Sequence, residues 1–333
     1  MIIVNNKFYK IFFSSIFLAF LFGTVKAQDQ NFANISTLSK WYNPSLKNDK
    51  KVTLNMNHRD VRYQGLIGYR SSVGMIDVPL NNGKSQELDN SGFWNLNAGF
   101  SLDESNQNIL RSSQALLGLS YAVPLTGNNT YLSVSIQGSY FNSRLDLSNA
   151  SFQDQFDRNG PIANAVSNDP LRAGDSRDWY SGHLGLSFFQ NTDSENWSLG
   201  IAVRDVTNPE INRQSNNSFN LKPTISLQGS YEFKKNQMVY GVQGFVGLKT
   251  SAYKQIISFN ASHQFNDGNF SAIGSGLAYR FRDAVIPYID LSFKQSKVAL
   301  YYEMNISGIN ASGYNRNAFE LSFIHSFAKK VKN

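Results

Sequence analysis

Four histidines, His58, His183, His263 and His325, are the side chains best suited to acid–base or metal chemistry near neutral pH, and the chain has no cysteine. Thiol catalysis and cysteine-ligated metal are therefore excluded. None of the histidines stands at the short spacing that puts two imidazoles on one metal, and none has a serine and an acid in a recognisable order. The segment 142–178 is richer in charge. It carries Asp146, Asp154, Asp157, Asp169, Asp175 and Asp178 together with Arg144, Arg158, Arg172 and Arg177. Its "QFDRNG" (155–160) has the interior of a calcium loop, but the first ligand would be Gln155 and the twelfth Val166, so the pattern fails at both ends. Mixed charge on a long connection suits contact with another protein or simple solvation. Asp154, Asp157, Arg158, Arg172 and Arg177 are the candidate docking charges. Arg59 and Arg62 in "HRDVRYQG" (58–65) could pair with loop acids or meet an anionic lipid, although a solvated loop explains them as well. No glycine-rich loop has the context of a phosphate site. Neither catalytic residues, nor a cofactor, nor a metal is expected.

The elements that would position these residues are strands. Apolar residues recur at every second position in fourteen segments: 52–58, 66–76, 93–102, 113–125, 131–141, 179–189, 197–205, 219–233, 238–248, 255–265, 270–281, 285–293, 298–306 and 318–327. In "FWNLNAGFSL" (93–102), Trp94, Leu96, Ala98, Phe100 and Leu102 alternate with Asn95, Asn97, Gly99 and Ser101. The segment 66–76 is the weakest, its apolar row being Ile67, Tyr69, Val73 and Met75. One greasy and one polar face suit a wall between lipid and a wet lumen. The links alternate too. Tight turns fall at 126–129, 191–196, 234–237, 266–268 and 294–297, and longer links at 103–112, 142–178, 206–218, 249–254 and 307–317, with "RFRD" (280–283) short. Short turns at one rim and long loops at the other are the habit of outer-membrane barrels. On this phase His58, His263 and His325 face lipid near strand ends and His183 faces the lumen, so they cannot meet. Trp94, Trp197, Tyr231, Phe265 and Phe327 all fall outward at the periplasmic rim, where aromatic rings form a girdle. The expected fold is all-β, a transmembrane antiparallel β-barrel of about 14 strands, of outer-membrane type, in contact with outer-membrane lipid.

The ends agree with export. Lys7 and Lys10 precede the apolar stretch 11–23, and "VKA" ends on a small residue, which predicts a signal peptide over 1–27 cleaved after Ala27. The stretch is too short for a spanning helix. Three of the lysines lie in this leader, so the net charge of +7 falls to +4 without it, too mild to argue for nucleic acid. The remaining organisation reads as an N-terminal periplasmic lead (28–50), a barrel (51–327) and a C-terminal tail (328–333).

Several stretches together resemble the PorP/SprF family of type IX secretion outer-membrane proteins of Bacteroidota. They are "QDQNFANISTLSKWYNPSL" (28–46), "LLGLSYAVPL" (116–125), "YLSVSIQGSYFNSRLDLSNASFQDQFD" (131–157), "LGIAVRDVTNPEIN" (199–212) and "SGINASGYNRNAFELSFIHSF" (307–327). One departure is Gln64–Gly65, where members often carry Gln-Trp. The resemblance implies an outer-membrane component that supports export or surface attachment of secreted proteins and gliding adhesins. Its implied partners are the periplasmic ring lipoprotein, the translocon, or the C-terminal domain of secreted cargo. It does not imply an enzyme. The competing expectation is a porin or a transporter of small hydrophobic molecules.

Overall fold

The structure is a computed structural model that describes residues 32–46, 51–63, 68–80, 92–105, 109–125, 129–147, 151–158, 160–162, 165–169, 174–211, 218–249, 252–265, 270–307 and 316–327. The predicted signal peptide with its Ala27 junction, Arg172 and the C-terminal tail lie outside these residues.

Fourteen antiparallel strands close into one barrel. They are β1 (Thr53–Tyr63), β2 (Tyr69–Pro79), β3 (Phe93–Ser105), β4 (Leu110–Pro124), β5 (Thr130–Leu145), β6 (Asp175–Asn191), β7 (Glu195–Arg204), β8 (Thr224–Lys235), β9 (Met238–Lys249), β10 (Ala252–Gln264), β11 (Ala272–Arg280), β12 (Ala284–Phe293), β13 (Ser296–Asn305) and β14 (Arg316–Ser326). Neighbours in sequence are neighbours in the wall, and the seam joins first to last strand, from Thr53 opposite Ser326 to Tyr63 opposite Arg316. Closure leaves no edge along the seam to be satisfied by lipid, which cannot hydrogen-bond.

Side-chain phase follows the pleat. On β1 the inward row is Asn55, Asn57 and Arg59, all buried, while Met56 and His58 stand outside. On β14 Glu320 and Ser322 point in, and Phe319 and Leu321 point out, each half exposed without lipid. Ile136 and Leu117 on β5 and β4 are among the most exposed apolar side chains of the band. Hydrocarbon contact, not a protein core, is what buries this row.

The near rim, which carries Thr53 and the end of β14, has compact turns after β6, β8 and β12, and one long connection, 80–92, between β2 and β3. The two-residue link after β8 works because Asn236 takes φ 56°, a left-handed conformation that asparagine tolerates. The far rim departs from the expected long loops at two places. The link expected over 103–112 shrinks to residues 106–109, because β3 continues to Ser105 and β4 starts at Leu110. The link expected over 249–254 shrinks to residues 250–251, because β9 and β10 continue to Lys249 and from Ala252. The large far-rim connections are 146–174, 205–223 and 306–315. Two further two-residue ribbons lie in the first two of these, Phe156–Asp157 with Gly160–Pro161 and Glu210–Ile211 with Phe219–Asn220. The segment expected as a strand from 219 therefore divides, and the wall strand β8 begins only at Thr224, just after Pro223.

Candidate functional site

The lumen is filled by the chain's own N-terminal segment. Residues 28–50 are expected from sequence as an N-terminal periplasmic lead. The described part, 32–46, instead lies inside, with a single turn α1 (Ser39–Tyr42) at its centre. Phe32, Leu38 and Trp41 are buried to within 2 % of full coverage. They pack with Val73 and Met75 of β2, Leu116 of β4, Phe245 of β9, Ile256 of β10 and Ile286 of β12. These partners come from strands spread around the barrel, so the segment is a plug. Its pocket also explains the weak alternation of 66–76. Val73 and Met75, which stand in the expected lipid-facing row, point inward on β2 and support Trp41, while Ile76 points out.

Three inward glycines make the room. A Cβ on Gly99 would come within 3.0 Å of Trp41 Cζ3 and of Met75 Cγ. One on Gly200 would lie 2.6 Å from Asn43 Nδ2 and 2.9 Å from Leu46 Cδ2, and one on Gly185 would collide with Asn43 Oδ1. Glycine is the residue that permits this closeness of wall to plug.

Polar contacts fix the plug at several heights. The Ala33 and Asn34 amides donate to Glu320 at 2.6 and 3.1 Å, and Asn34 Nδ2 donates to Ser322 Oγ at 2.9 Å. Asn57 Nδ2 donates to the same Glu320 at 2.9 Å, and Ser322 Oγ donates to Asn57 Oδ1 at 3.2 Å. The plug thus bonds at the seam of β1 and β14. Lys40 pairs with Asp77 of β2 at 3.0 Å, both buried. Lower down, Ser187 Oγ donates to the Ser45 carbonyl at 2.6 Å. Lys254 Nζ reaches the Tyr42 hydroxyl at 3.4 Å and lies over the rings of Tyr42 and Phe245.

Toward the far rim a charged network crosses the lumen. Glu303 of β13 accepts from Arg59 at 2.7 Å, from Arg280 at 3.0 and 2.9 Å, and from Arg316 at 2.9 Å. Asp283, in the turn after β11, accepts from Arg280 at 2.8 Å and Arg316 at 2.7 Å. Arg59 is therefore a lumen residue, not part of a solvated loop, whereas Arg62 is exposed beside Asp60. Buried carboxylates and guanidiniums hold this arrangement only by satisfying one another. At the near rim, inward Phe93 meets Tyr131 edge to face with ring centroids 5.3 Å apart, and Tyr131 stacks on Phe189 at 5.4 Å. Beside them the lumen keeps a polar vestibule of about 410 Å³, bounded by the plug and by side chains such as Asn55, Gln228, Asp290 and Lys297.

The histidines do not converge. His183 is buried on the inner face of β6, with Nδ1 accepting from the Asp205 amide at 3.0 Å and Nε2 bonded to Ser139 Oγ at 2.8 Å. His58 bonds Ser72 and His325 bonds Ser296 on the outer face. Among the described residues no group of three potential metal ligands forms. Trp94, Trp197, Tyr231, Phe265 and Phe327 all stand at the near rim in the outward phase, with Trp197 directly opposite Tyr231 and Trp94 paired to Tyr121 at 4.6 Å. The docking-loop candidates are dispersed. Asp154 ties two arms of the loop by accepting from Ser167 Oγ and the Asn168 amide, both at 2.7 Å. Asp157 sits in a two-residue ribbon, Arg158 is exposed, and Arg177 donates to Asp175.

Among solved structures the chain is similar to other barrels. The toluene transporter TbuX of Ralstonia pickettii matches at 9 % identity and TM-score 0.48, over 89 % of this chain and 95 % of that one. The translocator domain of the autotransporter NalP from Neisseria meningitidis matches at 9 % identity and 0.44, over 88 % and 93 %. The toluene transporter TodX of Pseudomonas putida gives 9 % identity and 0.44, over 90 % and 94 %. No curated protein sequence matches the chain. The family model described as "Type IX secretion system membrane protein PorP/SprF" matches residues 24–324. A sheet closed on itself, apolar outside and filled within, and matched by this family, is a protein of the outer membrane. The chain belongs to the PorP/SprF family of type IX secretion system membrane proteins.

Proposed function

We propose that the barrel serves type IX secretion by docking other proteins, through its near-rim turns to the periplasmic ring lipoprotein and through the far-rim loops to the C-terminal domain of exported cargo. The observation that supports this reading is the filled lumen. Residues 32–46 occupy the middle of the barrel and the network of Arg59, Arg280, Arg316, Asp283 and Glu303 spans it toward the far rim. A wall stoppered by covalently attached chain is suited to present surfaces rather than conduct solutes. The far-rim loop 146–174 is internally braced through Asp154 and Gln155, so it offers a shaped surface. The near rim, with its girdle of aromatics, would lie at the periplasmic interface. The test is purification of the tagged protein from native membranes followed by mass spectrometry. Secretion components should be recovered with the wild type, and their complete absence would remove the docking reading.

A second reading has its own observation. The inward patch of Val73, Met75, Phe245, Ile256 and Ile286 is apolar, and the same cluster reaches the vestibule through Ala299 and Tyr301, which would suit passage of a small hydrophobic molecule once the plug moves. Steady conductance or solute uptake by the intact protein in liposomes would favour that transporter over the docking component.

A further inference from the structure

Toward the far rim the outer face of five neighbouring strands changes character row by row. Met56, Gly74, Phe100, Ala115 and Tyr140 stand opposite one another from β1 to β5, within the lipid band. The next outward row is His58, Ser72, Leu102, Ser113 and Asn142, mostly polar. The row after it is wholly charged: Asp60, Arg70, Glu104, Arg111 and Arg144. Arg62 and Asp146 lie beside its two ends. Across the seam the same row turns apolar again at Phe319 and Tyr302, so the charge is confined to one side of the wall. From Tyr121, the partner of Trp94 at the near rim, β4 runs about 33 Å to Arg111, which is about 25 Å of height at a tilt of roughly 40°. That is the height of an apolar band, so the charged row meets the headgroup layer. Its arginines are open. Arg62, Arg70, Arg111 and Arg144 are all exposed. Arg62 reaches Asp60 at 3.4 Å, Arg111 reaches Glu104 at 3.2 Å and Arg144 reaches Asp146 at 3.5 Å, and exposed pairs of this kind contribute little. Among the described residues Arg70 makes no ion pair. Arg111 and Arg144 stand directly opposite each other, where like charges repel. Their side chains are 57 and 67 % exposed, so both keep donors free for an anion.

We propose that this outer row on β1–β5 binds the phosphate group of an anionic lipid headgroup, with Arg111 and Arg144 at its centre and Arg70 and Arg62 on its flank. A guanidinium presents a fork that fits two phosphate oxygens at once. Position sets the source of the phosphate. The row continues the lipid-facing wall directly, so what lies against it is the headgroup layer of the same membrane. One phosphate between Arg111 and Arg144 relieves their repulsion and orders both side chains. Glu104 bounds the site, because its carboxylate shares Arg111 and repels a second anion. The contact uses the outer wall and is independent of docking through the near-rim turns or the far-rim loops.

Native mass spectrometry of the purified protein in a neutral detergent tests this, together with the temperature at which its heat-modifiable gel mobility is lost. The probes are phosphatidic acid, the diacylglycerol with the same acyl chains, and inorganic phosphate. The wild type should retain phosphatidic acid in preference to diacylglycerol and melt at a higher temperature with it, and molar salt should reduce both effects. Arg111→Gln with Arg144→Gln should weaken retention about ten-fold or more. Arg158→Gln, at an exposed arginine of the loop 146–174, should leave it unchanged. Glu104→Gln should tighten phosphatidic acid by a few-fold, since it removes a competing negative charge. That sign separates lipid binding from a ladder of ion pairs that only braces the strands, where losing Glu104 would not raise retention. It also decides the matter if the double variant does not refold. Equal retention by the double variant and wild type, equal retention of phosphatidic acid and diacylglycerol, or no gain from Glu104→Gln overturns the proposal. Inorganic phosphate that stabilises the barrel as well as phosphatidic acid does would show an ion site and overturn it too.

Discussion

Trp41 of the plug sits on Gly99 of β3 so closely that a methyl group on the glycine would stand 3.0 Å from the indole Cζ3. The wall and the segment it encloses are therefore fitted at the level of single carbon atoms, and that fit controls whether the lumen is filled.

Replacing Gly99 by leucine should force Trp41 off its seat. Overpacking of this kind costs about 1–3 kcal/mol, and the barrel can relieve it by releasing the plug. A cysteine introduced at Ser45, which the plug keeps fully buried, should be protected from a water-soluble maleimide in the wild-type background and labelled readily beside Gly99→Leu.

The plug and the conductance are linked. Planar bilayers containing the intact protein should stay silent, and a variant lacking residues 28–46 should show steps of current through the emptied lumen. Equal current from both proteins would mean that the plug is no barrier to ions.

Lys40 and Asp77 form an ion pair whose side chains are only 5 % and 4 % exposed. Lys40→Met leaves a buried carboxylate without its cation, at a cost of about 3–5 kcal/mol. The double change Lys40→Met with Asp77→Leu should recover much of this, since both charges then disappear together. Guanidinium unfolding in detergent, followed by far-ultraviolet circular dichroism, measures the difference.

Glu303 is the common acceptor for Arg59, Arg280 and Arg316. Glu303→Gln removes the charge that three guanidiniums share, and it should destabilise the barrel by more than Glu232→Gln, since Glu232 is near the opposite end of the wall in a partly open site. The heat-modifiable mobility of the folded barrel on gels should be lost at a lower temperature.

On the outer face Ile136 stands within the lipid band with much of its side chain open. Ile136→Arg should cost about 2–4 kcal/mol in a bilayer. The same substitution should cost far less in refolding trials with a detergent of short chain, because a micelle deforms around the cation.

The strands were legible because the pleat alternates side chains between two solvents, so each segment from "VTLNMNH" to "AFELSFIHSF" wrote its own period into the sequence. Near-rim turns such as that at Asn236 were legible for a similarly local reason. The membership of Val73 and Met75 in the lumen was not, because period tells two faces apart but not which face is greasy when an apolar plug lies inside. Nor was the short link at 250–251, since strand ends depend on the partner strand as much as on their own residues. The plug itself could not be read. Residues 32–46 have no strand period, and the pocket for Trp41 exists only once Met75, Gly99, Leu116, Phe245 and Ile256 are brought together by closure. Arg59 likewise finds Glu303 across 244 residues of chain. Sequence by itself determined a two-faced wall and its number of strands, because those are properties of each segment alone. Only the tertiary structure decided what fills the lumen and which charges meet across it, because both depend on which distant residues the closed sheet sets side by side.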